Sequence, residues 1–321
     1  MDSRTNPSLK KTLRDPRVWA LCGMFFLIAG VSLNDVMIYS PDSARYLVWA
    51  NALSRFEGFV DHTDADPVRY IVHAPLYSVL LAPVAFFAPG NLIAAKAFTV
   101  FLGVFLLIMF FHWLSKRVSP GVAFLGGLVL ALNPLVILYS TQILSEIPFA
   151  IVLVGLVLML NRFDTGAKQH PSQVAFLLVL LVAAMFVREI GITMVLATVI
   201  FLAARRNLRL VIWTLVVPLL FYAAWFVRNE IIVAGVELPP LRNSEVFTTH
   251  YFTSQQSSLV SEFFARMQTS LPVYLKSIGS LMFIPQYGTV PYGVVITTDP
   301  PYSLIDPLAS VLVFLVASLS L

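Results

Sequence analysis

The segment HAPLYSVLLAPVAFFAP, residues 73–89, decides how the rest of the chain is oriented. From Ala74 to Ala88 it is apolar, but it is only about 15 residues long and carries Pro75 and Pro83, with Pro89 just beyond. A helix that crosses a bilayer needs about 20 predominantly apolar residues. If this segment crosses, every later loop changes sides. If it returns to the surface it left, the basic clusters Lys10/Lys11/Arg14, Lys116/Arg117, Arg162/Lys168 and Arg205/Arg206/Arg209 all fall on one side. Lys and Arg accumulate in short cytoplasmic loops, so the second reading is adopted. The segment is expected to be a juxtamembrane or re-entrant helix on the outer face, tolerated there because its backbone packs on protein.

Composition already requires a membrane. Of 321 residues, 58% are hydrophobic and only 12% charged, with a mean hydropathy of +0.83, against roughly 25% charged residues in soluble domains. Such a chain cannot cover itself with polar surface. The net charge of +4 is gathered in short clusters between apolar runs rather than along one polar face, which argues for topology and against nucleic acid. The single cysteine, Cys22, lies within the first apolar run, so no disulfide framework exists. Basic residues precede that run without a small-residue cleavage pattern after it, and an uncleaved first span is expected.

Candidate spans are 18–36, 91–114, 121–141, 147–160, 173–187, 190–204, 210–227 and 304–321. The expected fold is an all-α polytopic membrane protein. Residues 1–17 form a cytoplasmic N-terminus, and 18–227 a transmembrane module whose first outer loop covers 40–90. Residues 228–303 form a large outer loop, in which 271–285 can lie along the membrane surface, and 304–321 a last span that is expected to be cut short. The first outer loop is rich in acids (Asp42, Glu57, Asp61, Asp64, Asp66).

Ionisable residues in or beside a membrane are costly and are functional candidates by default. On this topology Asp42, Arg45, Arg69, His73, Lys96, Glu146, Arg188, Glu189 and Arg228 share the outer side. Asp42 follows Ser40-Pro41, a helix start in which an acid favours the positive end of the dipole. It is equally a carboxylate at the membrane surface, able to act as a general base. Glu146 precedes Pro148 at the start of a further helix. His62, Asp64 and Asp66 have suitable ligand types but no metal-site spacing, and a solvated loop is the simpler reading. His112 is expected to be an interfacial residue.

Pro41-Asp42-Ser43-Ala44-Arg45-Tyr46 resembles the Asp-Glu-x-Arg-Tyr motif in the first outer loop of the protein O-mannosyltransferase-like superfamily of GT-C glycosyltransferases, which includes bacterial aminoarabinose and galacturonic acid transferases. His73-Ala74-Pro75-Leu76-Tyr77 is similar to that family's Lys-Pro-Pro-Leu-Tyr, and Ala94-Ala95-Lys96 to its Ala-Ala-Arg. Leu144-Ser145-Glu146-Ile147-Pro148 resembles its second-loop acidic motif. Arg188 and Trp225-Phe226-Val227-Arg228-Asn229 stand where many members have Arg and Trp-x-x-Arg-Asn. The order agrees over roughly residues 15–240. Ser43 and His73 depart from the usual Glu and Lys, and residues 1–321 are not expected to include the large C-terminal soluble domain of several members.

The resemblance implies a GT-C-type transmembrane bundle in a bacterial inner membrane with its site on the periplasmic side. It implies transfer of a sugar from a polyprenyl-phosphate donor to a lipid, glycan or protein acceptor. Asp42 would be the base and Glu146 the second acid; Arg45, Tyr46, His73, Tyr77, Lys96, Arg188 and Arg228 would bind substrate. No cofactor is required, although a divalent metal is compatible. These residue types suit the chemistry, since a phosphate leaving group needs cationic stabilisation more than an acid, and guanidinium groups match its oxygens with paired donors. The competing expectations are a transporter or flippase, and a non-catalytic membrane partner. Transporters place ionisable residues near the bilayer midplane, whereas the centres of these spans are nearly free of charge.

Overall fold

A computed structural model of the chain describes residues 9–37, 41–63, 69, 74–163, 170–234, 261, 264, 267, 268, 287–290 and 293–296. The fold divides into two compact units, 1–132 with 136–239, and 133–135 with 240–321. In the second, the described strands β1 (Tyr287–Val290) and β2 (Gly293–Ile296) pair antiparallel. The expected segments 271–285 and 304–321 lie outside the described residues.

The first unit is helical: α1 (Leu9–Leu13), α2 (Pro16–Val31), α3 (Pro41–Ser54), α4 (Leu76–Phe87), α5 (Leu92–Ser115), α6 (Pro120–Ala131), α7 (Pro134–Ser140), α8 (Glu146–Phe163), α9 (Pro171–Val187), a 3-10 turn (Glu189–Gly191), α10 (Ile192–Ala204) and α11 (Leu208–Val233). Local chemistry sets many of these starts. Pro16, Pro120 and Pro171 occupy first positions, where a missing N–H costs nothing. The side chains of Asp15, Asn91 and Asn207 accept from the backbone N–H groups of Arg17, Ala94 and Leu210.

Among the described helices α5, α8 and α11 are long and apolar enough to cross a membrane, as expected of an integral membrane protein, and α6 with α7 is a fourth if the bent pair is one span. The expected single span 121–141 is instead bent by 59° between α6 and α7. The cause is Asn133-Pro134, because proline supplies no N–H and drives the residue before it away from helical backbone. Helices α2, α4, α9 and 189–204 are apolar but shorter. Large apolar side chains lie bare along the bundle, including Leu27, Phe87, Phe101, Ile200, Leu220 and Ile231. Lipid is the solvent that makes such a surface stable.

Side-chain contacts fix which ends of the helices meet. Thr12, before α2, bonds to His112 at the end of α5, whereas Lys96 at the start of α5 holds Asn34 and Val36 after α2. Helices α2 and α5 are therefore antiparallel. Gly155 of α8 meets Leu180 of α9, and Glu146 meets Arg188, so these two are antiparallel as well. Gly103 on α5 lets Phe25 of α2 and Ser140 of α7 approach to where a Cβ would stand, the small-residue contact common between membrane helices.

Helix α4 stays at one end. Tyr77 bonds to Thr99, while Ala85, two turns on, shares a cluster with Ala95 and lines a small cleft with Asn91 and Gly90. It thus runs back along the first two turns of α5 and packs on α3. Two ends of the bundle follow. The basic end carries Thr12, His112, Lys116, Arg162 and the 205–209 turn. The carboxylate end carries Lys96, Glu146, Arg188 and Arg228.

Candidate active site

At the carboxylate end α3, α8 and α9 meet through one polar cluster. Ser145 immediately precedes α8, and its carbonyl accepts from Phe149 N at 3.0 Å. A serine in this position usually turns its hydroxyl onto the N–H two or three residues ahead, but here the third residue is Pro148. The Ser145 hydroxyl instead accepts from Tyr46 Oη at 3.2 Å and from Arg188 Nη1 at 3.3 Å. Arg188 Nη1 also pairs with Glu146 Oε1 at 2.5 Å. Glu146 Oε2 is buried and makes no hydrogen bond among the described residues.

Backbone geometry presents Arg188. It ends α9 in an extended conformation, with φ −152° and ψ 141°, before the 3-10 turn begins. The turn closes tightly because Gly191 lies against the backbone of Ala184 and Met185, where any Cβ would collide. The Arg188 side chain remains 36% exposed and that of Glu146 29%. Burial alone would lower the Arg188 pKa, but the Glu146 carboxylate holds the guanidinium above its ordinary value.

Tyr46 is buried, its ring edge-on to Tyr77 at 5.0 Å and to Trp49 at 6.4 Å. Burial, and then the charges of Asp42 and Glu189, push its phenol up to about 12 despite the bond to Ser145. It is therefore a fixed neutral donor at ordinary pH. Asp42 is half-buried one helical turn before Tyr46, on the same face of α3. Ser43, where the family pattern has Glu, is buried.

Arg228 forms a second station. Its guanidinium lies 4.8 Å from the Trp225 ring and 5.9 Å from that of Phe59, donating to Asn229 Oδ1 at 2.6 Å and to the Arg69 carbonyl at 3.0 Å. Both partners are neutral, and burial lowers the charge's stability. Trp225 stacks edge-on with Phe186, two residues before Arg188, so the two arginines stand on adjoining structure.

Of the expected site residues, then, Tyr46, Tyr77, Glu146 and Arg188 gather in one place, Asp42 shares their helix face, and Arg228 adjoins them. Arg45 is half-buried on α3. Lys96 is not part of this cluster. It is 1% exposed and its ammonium is spent on Asn34 O, Asn34 Oδ1 and Val36 O at 3.1, 2.9 and 2.6 Å, tying the chain after α2 to α5. His73 lies outside the described residues, as do Asp64 and Asp66; His62 pairs with Glu57 at 2.7 Å. No group of three or more potential metal ligands occurs among the described residues. Ser145 escaped the sequence reading, although its position before Glu-x-Pro was the signal that its hydroxyl would be released.

No family model, no curated protein and no solved structure matches this chain. The resemblance to GT-C transferases is carried by the motifs alone.

Proposed function

We propose that this chain is a membrane glycosyltransferase that moves a sugar from a polyprenyl-phosphate donor to an acceptor hydroxyl at the carboxylate end of the bundle, taken as the extracytoplasmic face. The observation that supports it most is that acids and arginines from α3, α8, the α9 terminus and α11 converge at one end, beside apolar helices open to lipid. A lipid-linked phosphate with a polar sugar needs that combination.

In the reaction the acceptor oxygen attacks the anomeric carbon, the bond from that carbon to the phosphate oxygen breaks, and the electron pair leaves with the polyprenyl phosphate. Asp42 takes the acceptor proton. Positive charge at the leaving phosphate comes from Arg228 and Arg45. Arg228 suits the task because its partners are neutral oxygens and aromatic faces, whereas the charge of Arg188 is balanced by Glu146. The Glu146–Arg188 pair, braced by Ser145 and Tyr46, orients the sugar or acceptor. Divalent metal is compatible with this chemistry, and the lipid phosphate leaves as a stable anion without it.

The test is transfer by the reconstituted full chain with a panel of radiolabelled polyprenyl-phosphate sugars, comparing wild type with Asp42→Asn. Loss of a general base lowers the rate roughly 100-fold or more. Equal transfer by both proteins removes Asp42 from the mechanism, and solute uptake without any transfer replaces the enzyme by a transporter.

A further inference from the structure

The Glu146–Arg188 pair is held open on one side. Guanidinium and carboxylate groups commonly pair through two parallel bonds, which satisfy both carboxylate oxygens. Here Arg188 Nη1 is shared between Glu146 Oε1 and the Ser145 hydroxyl, the latter at 3.3 Å. Tyr46 Oη fixes that hydroxyl from another side at 3.2 Å. The guanidinium is thereby kept off the second carboxylate oxygen, and Glu146 Oε2 is buried with no hydrogen bond among the described residues. A carboxylate oxygen kept from water without a donor is costly. Beside an arginine that still reaches the surface, such an atom calls for a donor on a ligand.

The turn that joins α7 to α8 brings a second group to this place. Thr141, Gln142, Ile143 and Ser145 are buried in it, and Ile143 packs in one cluster with Tyr46 and Tyr77. Tyr139 and Glu146 flank this turn, both half-buried, so they are rooted in the fold and still reach the surface. The charges of Glu146 and Arg188 both act on the Tyr139 phenol. Glu189 acts on Arg188 and, together with Asp42, on Tyr46, so a further carboxylate is unwelcome here.

We infer, resting on the transferase reading above, that Glu146 Oε2 and the Tyr139 hydroxyl form a clamp for the hydroxyls of a neutral donor sugar, selecting that class over uronic acids and amino sugars. A hydroxyl both donates and accepts, whereas an ammonium only donates and a carboxylate only accepts. An ammonium leaves the phenol without an acceptor. A carboxylate leaves Oε2 without a donor and meets like charge. The clamp acts on the donor because Trp225 packs edge-on against Phe186, two residues before Arg188, so a sugar whose phosphate lies at Arg228 hangs beside this pair.

The full chain in proteoliposomes is given polyprenyl-phosphate donors carrying a neutral hexose, its monodeoxy analogues, the matching uronic acid and the matching amino sugar. Wild type is expected to transfer the hexose with kcat/KM about tenfold or more above the uronate and the amino sugar. Tyr139→Phe removes one neutral hydrogen bond and is expected to raise the hexose KM roughly fivefold with kcat held. It is also expected to abolish the penalty that wild type shows for one monodeoxy donor, which a merely structural role would leave in place. Glu146→Gln puts a donating amide where Oε2 accepts and is expected to narrow the discrimination against the uronate. The clamp is overturned, with the transferase reading intact, if wild type prefers the uronate or the amino sugar, or if Tyr139→Phe keeps the wild-type pattern across the monodeoxy donors. Transfer of none of these donors by wild type overturns the transferase reading, and the clamp with it.

Discussion

The two ends of the bundle use the same residue types under opposite rules. At the carboxylate end cations have protein partners: Arg188 has Glu146 and Ser145, Lys96 has three oxygens of residues 34–36, and Arg228 lies between aromatic rings. At the basic end Lys116, Arg117 and Arg162 stand together, and the one nearby described carboxylate is consumed by Arg17. A paired cation is held in a fixed place and can orient a ligand. The basic end instead concentrates one sign of charge, where burial and then the charges of Arg162 and Arg117 push the Lys116 ammonium below its ordinary pKa. The difference separates a site built for geometry from a surface built for charge.

The comparison breaks outright if the ends do not face opposite compartments. In a Cys22→Ala background, Glu189→Cys and Arg117→Cys are expected to react with a membrane-impermeant maleimide from opposite sides of sealed vesicles. Both positions reacting from one side would mean that an even number of the segments between them cross, as when the bent pair α6–α7 is re-entrant, and the two ends would not be separated by the membrane.

A smaller effect sharpens what pairing is worth. Glu146→Ala and Arg188→Ala are each expected to destabilise the protein, and a double-mutant cycle should show a coupling of about 1 kcal/mol, because a third of each side chain meets solvent and screening trims the larger cost known for buried pairs. Chemical denaturation in a fixed detergent measures it. Additive single effects would show that the pair is not an organised unit.

The smallest effect concerns the one carboxylate of the basic end. Asp15→Ala removes the cap of α2 and is expected to cost about 1 kcal/mol. The bond to Arg17 holds the Asp15 carboxyl below the usual range. A depressed pKa contributes stability that is complete above the unfolded value, near 3.9, and is lost as pH falls through the folded one. Wild type and Asp15→Ala should therefore differ in melting temperature at neutral pH and converge in strong acid. A gap that persists in strong acid would assign the effect to packing.

Much of the fold was legible in the residues. The positions of apolar runs marked the helices, and proline at a first turn, or just after a residue that it drives out of the helix, marked their ends. The bend at Asn133-Pro134 was legible too, yet the expected span 121–141 runs through it, because its length and hydropathy alone fit a single crossing. The site was legible as a list of charged residues on one side. Lys96 could not be told from Arg188 in that list, since both are cations beside an apolar helix and only their neighbours differ.

What the sequence determined by itself was the solvent and the polarity of the molecule: too few charges for a soluble surface, and basic clusters that alternate with acidic loops. Which cation meets which oxygen was decided only by tertiary structure. Pro148 frees the Ser145 hydroxyl, the close approach at Gly191 turns Arg188 toward Glu146, and α4 doubles back along α5. The partners they bring together are distant in the chain, Tyr46 and Ser145 by 99 residues and Ser145 and Arg188 by 43, and periodicity and composition carry no record of such pairings.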